Sequence, residues 1–359
     1  MIDCIIIGGG IAGASSAYAL KQKGLKPLVL EKNTICSGGS YPAGAFLSPK
    51  ISKPSPYKTY LNDSLKYSLE FYAENFPNLL KKDGLLKLPI DHEDIHKCQT
   101  YEPYIDIAFE KQNDNYYFPD AGIIDPVKLI KELLKDIDII ERHEVKNIKH
   151  IDNIWHVDKY QAKYLILATG SETLPLNIPY LKTKNIGGYR YDVCFDQYEK
   201  LQYNLHKSVS ISTYFENKIA IGASHIKGDI DLEKAAKDDN YNLIKQALEI
   251  RPLPNLKILK QYTGYRNFSF DYFPILGEAV DAKQTIKKYP YITTGAKVPQ
   301  EKYTYFTNLY IHKALGSRGF VFAPYNAKLL ADLICNQKKI PNHLSPAKRF
   351  TKWARKQTL

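Results

Sequence analysis

An α/β fold, in which a parallel-sheet nucleotide domain is interleaved with a second domain of mixed or antiparallel sheet (α+β), is predicted by three features of this 359-residue chain. A glycine-bearing turn joins an apolar run to an alanine-rich segment at the N-terminus. Two later β-like runs, near residues 162–170 and 309–316, also end in glycines. Between these runs lie tyrosine-rich and short alternating stretches that do not suit the same sheet, so the chain passes in and out of the nucleotide domain. A chain of this length exceeds one usual domain, and about two are expected.

The first element is the stretch "DCIIIGGGIAGASSAYALKQKGLKPLVLEKN". It opens as a short strand, turns through Gly8, Gly10 and Gly13, continues as a helix, returns as the strand 27–30 and closes on Glu31. This is the dinucleotide fingerprint in its required Rossmann context. Gly8 serves the tight turn, Gly10 lets the backbone approach a pyrophosphate, Gly13 lets helix and strand pack, and Glu31 meets the ribose hydroxyls. Ile11 and Ala12 at the helix start and Lys32 beside Glu31 complete the expected contacts. A carboxylate at position 31 argues against a ribose bearing a 2′-phosphate.

Residues 57–120 mix helical patterns with many tyrosines. The stretch beginning "YFPDAGIIDPVKLIKELL" then supplies a turn at Gly122, a helix start at Asp125-Pro126 and two β-like runs, with Val145 between them. These lead to "AKYLILATGSET", a strand ending in Ala168, Thr169 and Gly170. That ending reads as a second dinucleotide contact or as an ordinary buried strand closing in a turn. No second GxGxxG appears, so one dinucleotide is expected. Short strands such as "KSVSISTYF" and "KIAIGASHI" fill the region from 187 to about 308. Residues 309–334, "LYIHKALGSRGFVFAPYNAKLLADLI", read as strand, turn and apolar helix, whose N-terminus offers free N–H groups and a positive dipole end to an anion. The expected division is 1–85, 120–186 and 309–359 for the nucleotide domain, with 86–119 and 187–308 for the substrate domain.

Composition narrows the function classes. The formal net charge is +12, and from Lys338 onward the tail carries basic residues and no acid. Basic residues interleaved with Phe350 and Trp353 suit a phosphate backbone with stacking opportunities, although an amphipathic segment packed on the protein's own surface has the same pattern. No apolar run nears the roughly 18 residues of a membrane span. The opening run lacks a basic leader, so a cytoplasmic location without membrane attachment is expected. Five cysteines lack CxxC spacing or a nearby histidine pair, so neither a disulfide framework nor a metal site is expected.

The segments "IIIGGGIAGASSAYAL", Glu31, "SGGSYPAGAFLSP", "GIIDP", "LATG", "YTGYRNFSFDYFPILG" and "GSRGFVFAP" resemble the D-amino-acid-oxidase-like family of flavoenzymes, which includes glycine and sarcosine oxidases. The resemblance implies noncovalent FAD as the dinucleotide. It extends the FAD contacts to Ser37, Gly38, Gly44 and Val145 and to Gly316, Ser317, Arg318, Gly319 and Phe320, the last group lying beside the flavin ring in that family. A tRNA-modifying branch fits best, notably through "IPNHLSPAKRFTKWARK". In that branch the flavin domain removes the carboxymethyl group, as glyoxylate, from 5-carboxymethylaminomethyl-(2-thio)uridine at the tRNA wobble position. The chain begins at the first Rossmann strand, so the methyltransferase domain preceding it in bifunctional members is expected to be absent, and a separate methyltransferase would act on the product.

The implied substrate is an N-substituted glycine carried on a tRNA anticodon stem–loop. Arg266, in "GYRN", falls at the family's carboxylate-binding arginine; its other reading is a structural ion pair. Arg318 assists substrate or flavin, or fixes its loop. Lys50 is a cation near the flavin or a solvated lysine. Tyr265 and Tyr272 line the base pocket or simply pack, and Lys352, Arg355 and Lys356 are expected to contact tRNA. His312 is expected to be structural, and no catalytic base is assigned. Two other readings stay open: an oxidase of free glycine, sarcosine or a similar amine, and a tRNA-binding flavoprotein without oxidase activity.

Overall fold

The computed structural model describes residues 2–196, 201–215, 217–228 and 230–357. Its organising element is a six-stranded sheet in the order Ile275–Val280, Tyr305–Lys313, Tyr164–Leu167, Cys4–Ile7, Pro27–Leu30, Asp138–Ile140. All neighbours run parallel except the pair formed by Ile275–Val280 and Tyr305–Lys313. The central strands Cys4–Ile7 and Pro27–Leu30 are buried at every position. Continuous apolar strands of this kind require cover on both faces, as parallel sheets do. On one face the helix Ile11–Gln22 packs against Gly319–Asn336, which also packs on Pro56–Asn75. The other face is closed by the small antiparallel sheet of Ile148–Ile151, Ile154–Val157 and Tyr160–Ala162, and by residues near both ends of the C-terminal helix.

The second large sheet has eight strands, ordered Lys257–Phe268, Lys184–Cys194, Ile219–Gly222, Ser210–Ile211, Asn204–His206, Leu85–Lys87, Asn115–Phe118, Glu110–Gln112. Only Asn204–His206 and Leu85–Lys87 pair in parallel. Sequence reading expects short alternating strands between 187 and 308, yet the two longest strands among the described residues, of 11 and 12 residues, run through this region. Their alternation is hidden by Gly187 and Gly188 and by two buried charges. Arg190 and Asp192 form an ion pair on one face, and Asp192 also accepts from Tyr262 (3.0 Å) and pairs with Lys218 (2.9 Å). Polar residues with such partners sit in a core without breaking it. Ile275–Val280, grouped from sequence with the substrate segments, lies at the edge of the six-stranded sheet.

Local signals act as their chemistry requires. The Asp125 carboxylate accepts from the Val127 and Lys128 amides, both at 2.9 Å, and Pro126 occupies the first position of helix Pro126–Leu133. The basic tail folds as the helix Pro346–Ala354, capped by Ser345. Its Phe350 is fully buried and edge-on to Tyr180 and Tyr303. Arg349 crosses to the 269–274 loop, where its guanidinium reaches Asp271 (3.2 Å) and the carbonyls of Phe273 and Pro274 (3.1 Å each). It also reaches the Ser345 carbonyl at 3.1 Å within its own segment. Lys352, Arg355 and Lys356 remain exposed.

His312 ties the last parallel strand to the first helix. Its Nδ1 lies 2.8 Å from the Ser16 hydroxyl, which itself donates to the Ala12 carbonyl at 2.9 Å. With the serine proton so used, Nδ1 carries the imidazole proton and donates, leaving Nε2 as a buried lone pair without a partner among the described residues. Burial lowers the imidazole pKa from 6.5 to about 3.

Two outcomes follow from this packing. Phe350→Ala should destabilise the protein by about 3–5 kcal/mol in urea titration, the usual cost of emptying a filled aromatic site; a loss below about 1 kcal/mol would mean the helix is not part of the core. For His312 the folded chain binds fewer protons than the unfolded chain between about pH 3 and 6.5, so its contribution is complete above 6.5 and is lost as pH falls toward 3. The variant His312→Gln should therefore show a shallower stability loss between pH 6 and 4, by up to one proton, or about 1.4 kcal/mol per pH unit. Parallel urea series for the two proteins would expose an identical slope.

Candidate active site

The turn after the first strand is set by two close approaches. Gly8 has φ +112°, and a Cβ there would meet the Ala168 carbonyl oxygen at 2.4 Å. A Cβ on Gly13 would meet the Gly8 carbonyl oxygen at 1.9 Å. Helix Ile11–Gln22 can thus start directly against the strand end, with the Ile11 amide donating to the Ser40 hydroxyl (3.0 Å). At the end of the second strand the two oxygens of Glu31 accept from the Gly9 amide (2.7 Å) and the Asn33 amide (2.8 Å). Lys32 pairs with Glu144 and Glu172, each at 3.4 Å, and Glu172 is the first cause of its raised pKa.

These groups line one end of a cavity of about 980 Å³. Gly8, Gly10, Ile11, Ala12, Glu31, Lys32, Ser37, Gly38, Gly44, Val145, Ala168, Thr169 and Gly170 all face it, as do Gly316, Ser317, Arg318, Gly319 and Phe320. Gly13 does not; its work is the helix–strand contact. The volume lies at the upper end of small-molecule sites. A cradle that side chains would fill, a carboxylate at the second strand end and a helix N-terminus together fit an adenine dinucleotide.

The cavity continues between the two large sheets. Arg266, on Lys257–Phe268, pairs across to Ile186, and its guanidinium lies over Gly188, where a Cβ would come within 2.5 Å of Nη1. Nη1 donates to the Ser224 carbonyl (2.9 Å). No carboxylate pairs with Arg266 among the described residues, and burial lowers its pKa to about 10. An arginine held dry with only carbonyl acceptors is a ready carboxylate receptor. Arg318 donates to the Ser48 carbonyl (2.6 Å), so it clasps the loop before Lys50. Lys50 is exposed at the cavity wall, where desolvation first and then Arg318 and Lys97 lower its pKa. Tyr265 and Tyr272 stand at the mouth, 37% and 53% exposed. Lys352, Arg355 and Lys356 do not line the cavity.

Among the lining residues not singled out from the sequence, three are bases whose pKa is lowered. Lys313, 4% exposed, donates to Thr169 Oγ1 (3.0 Å) and to the Glu172 carbonyl; burial lowers its pKa to about 8. His206 is pushed down to about 4 by burial and then by Lys87 and Arg318. His225 is lowered by burial and then by Arg266. The local clue to Lys313 is its place directly before the glycine turn at 314–316; the histidines carry no comparable local signal. Among the described residues no group of three His, Cys, Asp or Glu could hold a metal, and no helix is long and apolar enough to cross a membrane.

Comparison with known proteins agrees with this geometry. The profile of the family described as FAD dependent oxidoreductase (DAO) matches residues 3–333. The tRNA 5-methylaminomethyl-2-thiouridine biosynthesis bifunctional protein MnmC of Legionella pneumophila (strain Philadelphia 1) is 28% identical over 97% of this chain and 57% of its own length. The protein of the same name from Campylobacter concisus is 24% identical over 96% of this chain and 58% of its own. The chain thus spans little more than half the length of these curated relatives. Among solved structures, glycine oxidase from Geobacillus kaustophilus superposes with a TM-score of 0.72 at 19% identity, covering 94% of this chain and 95% of that one. Iminodiacetate oxidase from Chelativorans sp. BNC1 gives 0.73 at 15%, covering 96% and 98%. Sequence, fold and cavity converge: the chain belongs to the DAO family of FAD-dependent oxidoreductases, with FAD as its cofactor.

Proposed function

We propose that this chain removes the carboxymethyl group from 5-carboxymethylaminomethyl-(2-thio)uridine at the tRNA wobble position, leaving 5-aminomethyl-(2-thio)uridine and releasing glyoxylate. The observation that carries the reading is Arg266, a guanidinium facing the cavity with carbonyls but no carboxylate for partners among the described residues. The tRNA side is supported by relatives named for biosynthesis of a modified tRNA uridine. The substrate side chain is an N-substituted glycine, so a carboxylate receptor beside a dinucleotide cradle matches it in chemistry.

The residues that would hold FAD are the turn from Gly8 to Gly13, Glu31 and Lys32, Ser37, Gly38 and Gly44, Val145, Ala168 to Gly170, and Gly316 to Phe320. When bound, FAD supplies the two-electron acceptor for oxidising an amine C–N bond to an imine. Arg266 would bind the carboxylate bidentately and fix the adjacent methylene. Water then hydrolyses the imine, so the glycine-like fragment leaves as glyoxylate and nitrogen stays on the base. No side chain is needed as a base, because an amine bound in neutral form already has its lone pair free. Arg318 would hold the 46–50 loop, and with it Lys50, against this part of the cavity. Tyr265, at the cavity mouth, would flank a uridine splayed out of the anticodon loop.

The decisive test is anaerobic mixing of the holoenzyme with tRNA bearing the carboxymethylaminomethyl base. Flavin absorbance should fall, with aminomethyl nucleoside and glyoxylate appearing together. A flavin that stays oxidised with this tRNA but bleaches with free glycine or sarcosine overturns the reading. Arg266→Ala should keep its FAD and lose about 30- to 5,000-fold in kcat/KM, corresponding to about 2–5 kcal/mol for a charged pair broken in a dry site. Replacing Lys352, Arg355 and Lys356 together by alanine should flatten the dependence of log K on log salt for tRNA binding by up to about 2–3. An unchanged salt slope would remove the tail from the tRNA interface.

A further inference from the structure

The loop 269–274 leaves aromatic surface exposed, although Tyr272 meets the Phe268 ring edge-on at 6.0 Å. Phe270 is 65% exposed and Tyr272 is 53% exposed. Tyr272 also lines the cavity, so the loop stands at the cavity mouth. Lys184, on the neighbouring strand, places Nζ 5.9 Å from the Phe270 ring and 5.1 Å from the Tyr272 ring. It forms no salt bridge among the described residues. Two flat apolar faces with a cation unpaired by any acid form a surface matched to a base and its phosphate.

The loop is also built to hold its shape. The Ser269 hydroxyl lies 2.9 Å from Asp271 Oδ1 and 2.7 Å from the Phe273 carbonyl. Asp271 pairs with Lys348 (3.0 Å) and Arg349 (3.2 Å) of the C-terminal helix, and Arg349 takes the Phe273 and Pro274 carbonyls as well. Tyr272 is held at φ +65°, a left-handed conformation that costs an aromatic residue free energy and persists because its surroundings fix it. Fixing the rings before a ligand arrives reduces the ordering cost of binding.

We propose that Phe270 and Tyr272, with Lys184, form a stacking platform for an unpaired nucleobase of the RNA loop, adjacent to the base that enters the cavity. The proposal rests on the tRNA reading above and adds the surface that grips the rest of the loop. Charge complementarity selects this occupant: the platform carries a lysine, a second lysine, Lys348, borders it on the Asp271 side, and the whole chain is +12. Arg349 acts as a positioning residue, through the loop backbone.

The test is the anisotropy of a labelled anticodon stem–loop titrated with holoenzyme. The double variant Phe270→Ala/Tyr272→Ala should bind about 5- to 100-fold more weakly than wild type, the range for loss of base–aromatic stacking. Replacing a loop base next to the wobble position by an abasic site should weaken wild type but leave the double variant unaffected, because the partner of the stack is already gone. FAD absorbance and melting temperature check folding, and Phe270→Leu/Tyr272→Leu keeps apolar bulk while removing the flat faces. Leucine variants that bind as wild type overturn the platform and leave the tRNA reading standing. A wild-type protein that binds the stem–loop no better than a stem lacking its loop overturns both.

Discussion

Everything in this molecule is referred to the close contact between the first strand and the first helix. With no side chain at Gly13, the helix backbone lies against the Gly8 carbonyl, and Gly8 in turn lies against the Ala168 carbonyl. The first strand, the helix that follows it and the Ala168 turn far along the chain thereby meet at backbone separation, with no room for even a methyl group. The strand ends on one side of the sheet are consequently brought to one edge of the cavity. A shift there would move Glu31, the 168–170 turn and the start of helix Gly319–Asn336 together.

The eight-stranded sheet is attached to this frame by charge kept away from water. Arg190 and Asp192, adjacent on one face of an interior strand, are tolerated because Tyr262, Lys218 and the Pro42 carbonyl complete their hydrogen bonds. Arg266, on the neighbouring strand, differs in kind, since its described acceptors are carbonyls alone. The first pair explains how a long strand can carry charge and remain structural. Arg266 has donors left over, and that contrast distinguishes it from the structural pair.

The parts of the site that sequence revealed are those whose geometry is local. The glycine turn, Glu31 and the Asp125-Pro126 helix start each depend on residues within a few positions or one βαβ unit. Arg266 and the segment 316–320 were reached by family resemblance, because nothing in their spacing says that they face one cavity. Lys313 and His206 were missed for the same physical reason: their surroundings are made by the 169–172 turn and by Lys87, more than 100 positions away in each case. The basic tail was ambiguous in sequence because a cation that grips a carbonyl and one that grips a phosphate are the same letter. Arg349 uses its charge internally, whereas Lys352, Arg355 and Lys356 keep theirs in solvent.

The grip of Arg349 on the 269–274 loop has a consequence in time. The loop at the cavity mouth is held by a helix that begins more than 70 positions further along the chain. On a ribosome, the Rossmann turn can form when the first strands and Tyr164–Leu167 have emerged. The rim of the cavity must wait for this later helix, so it is completed after the nucleotide cradle.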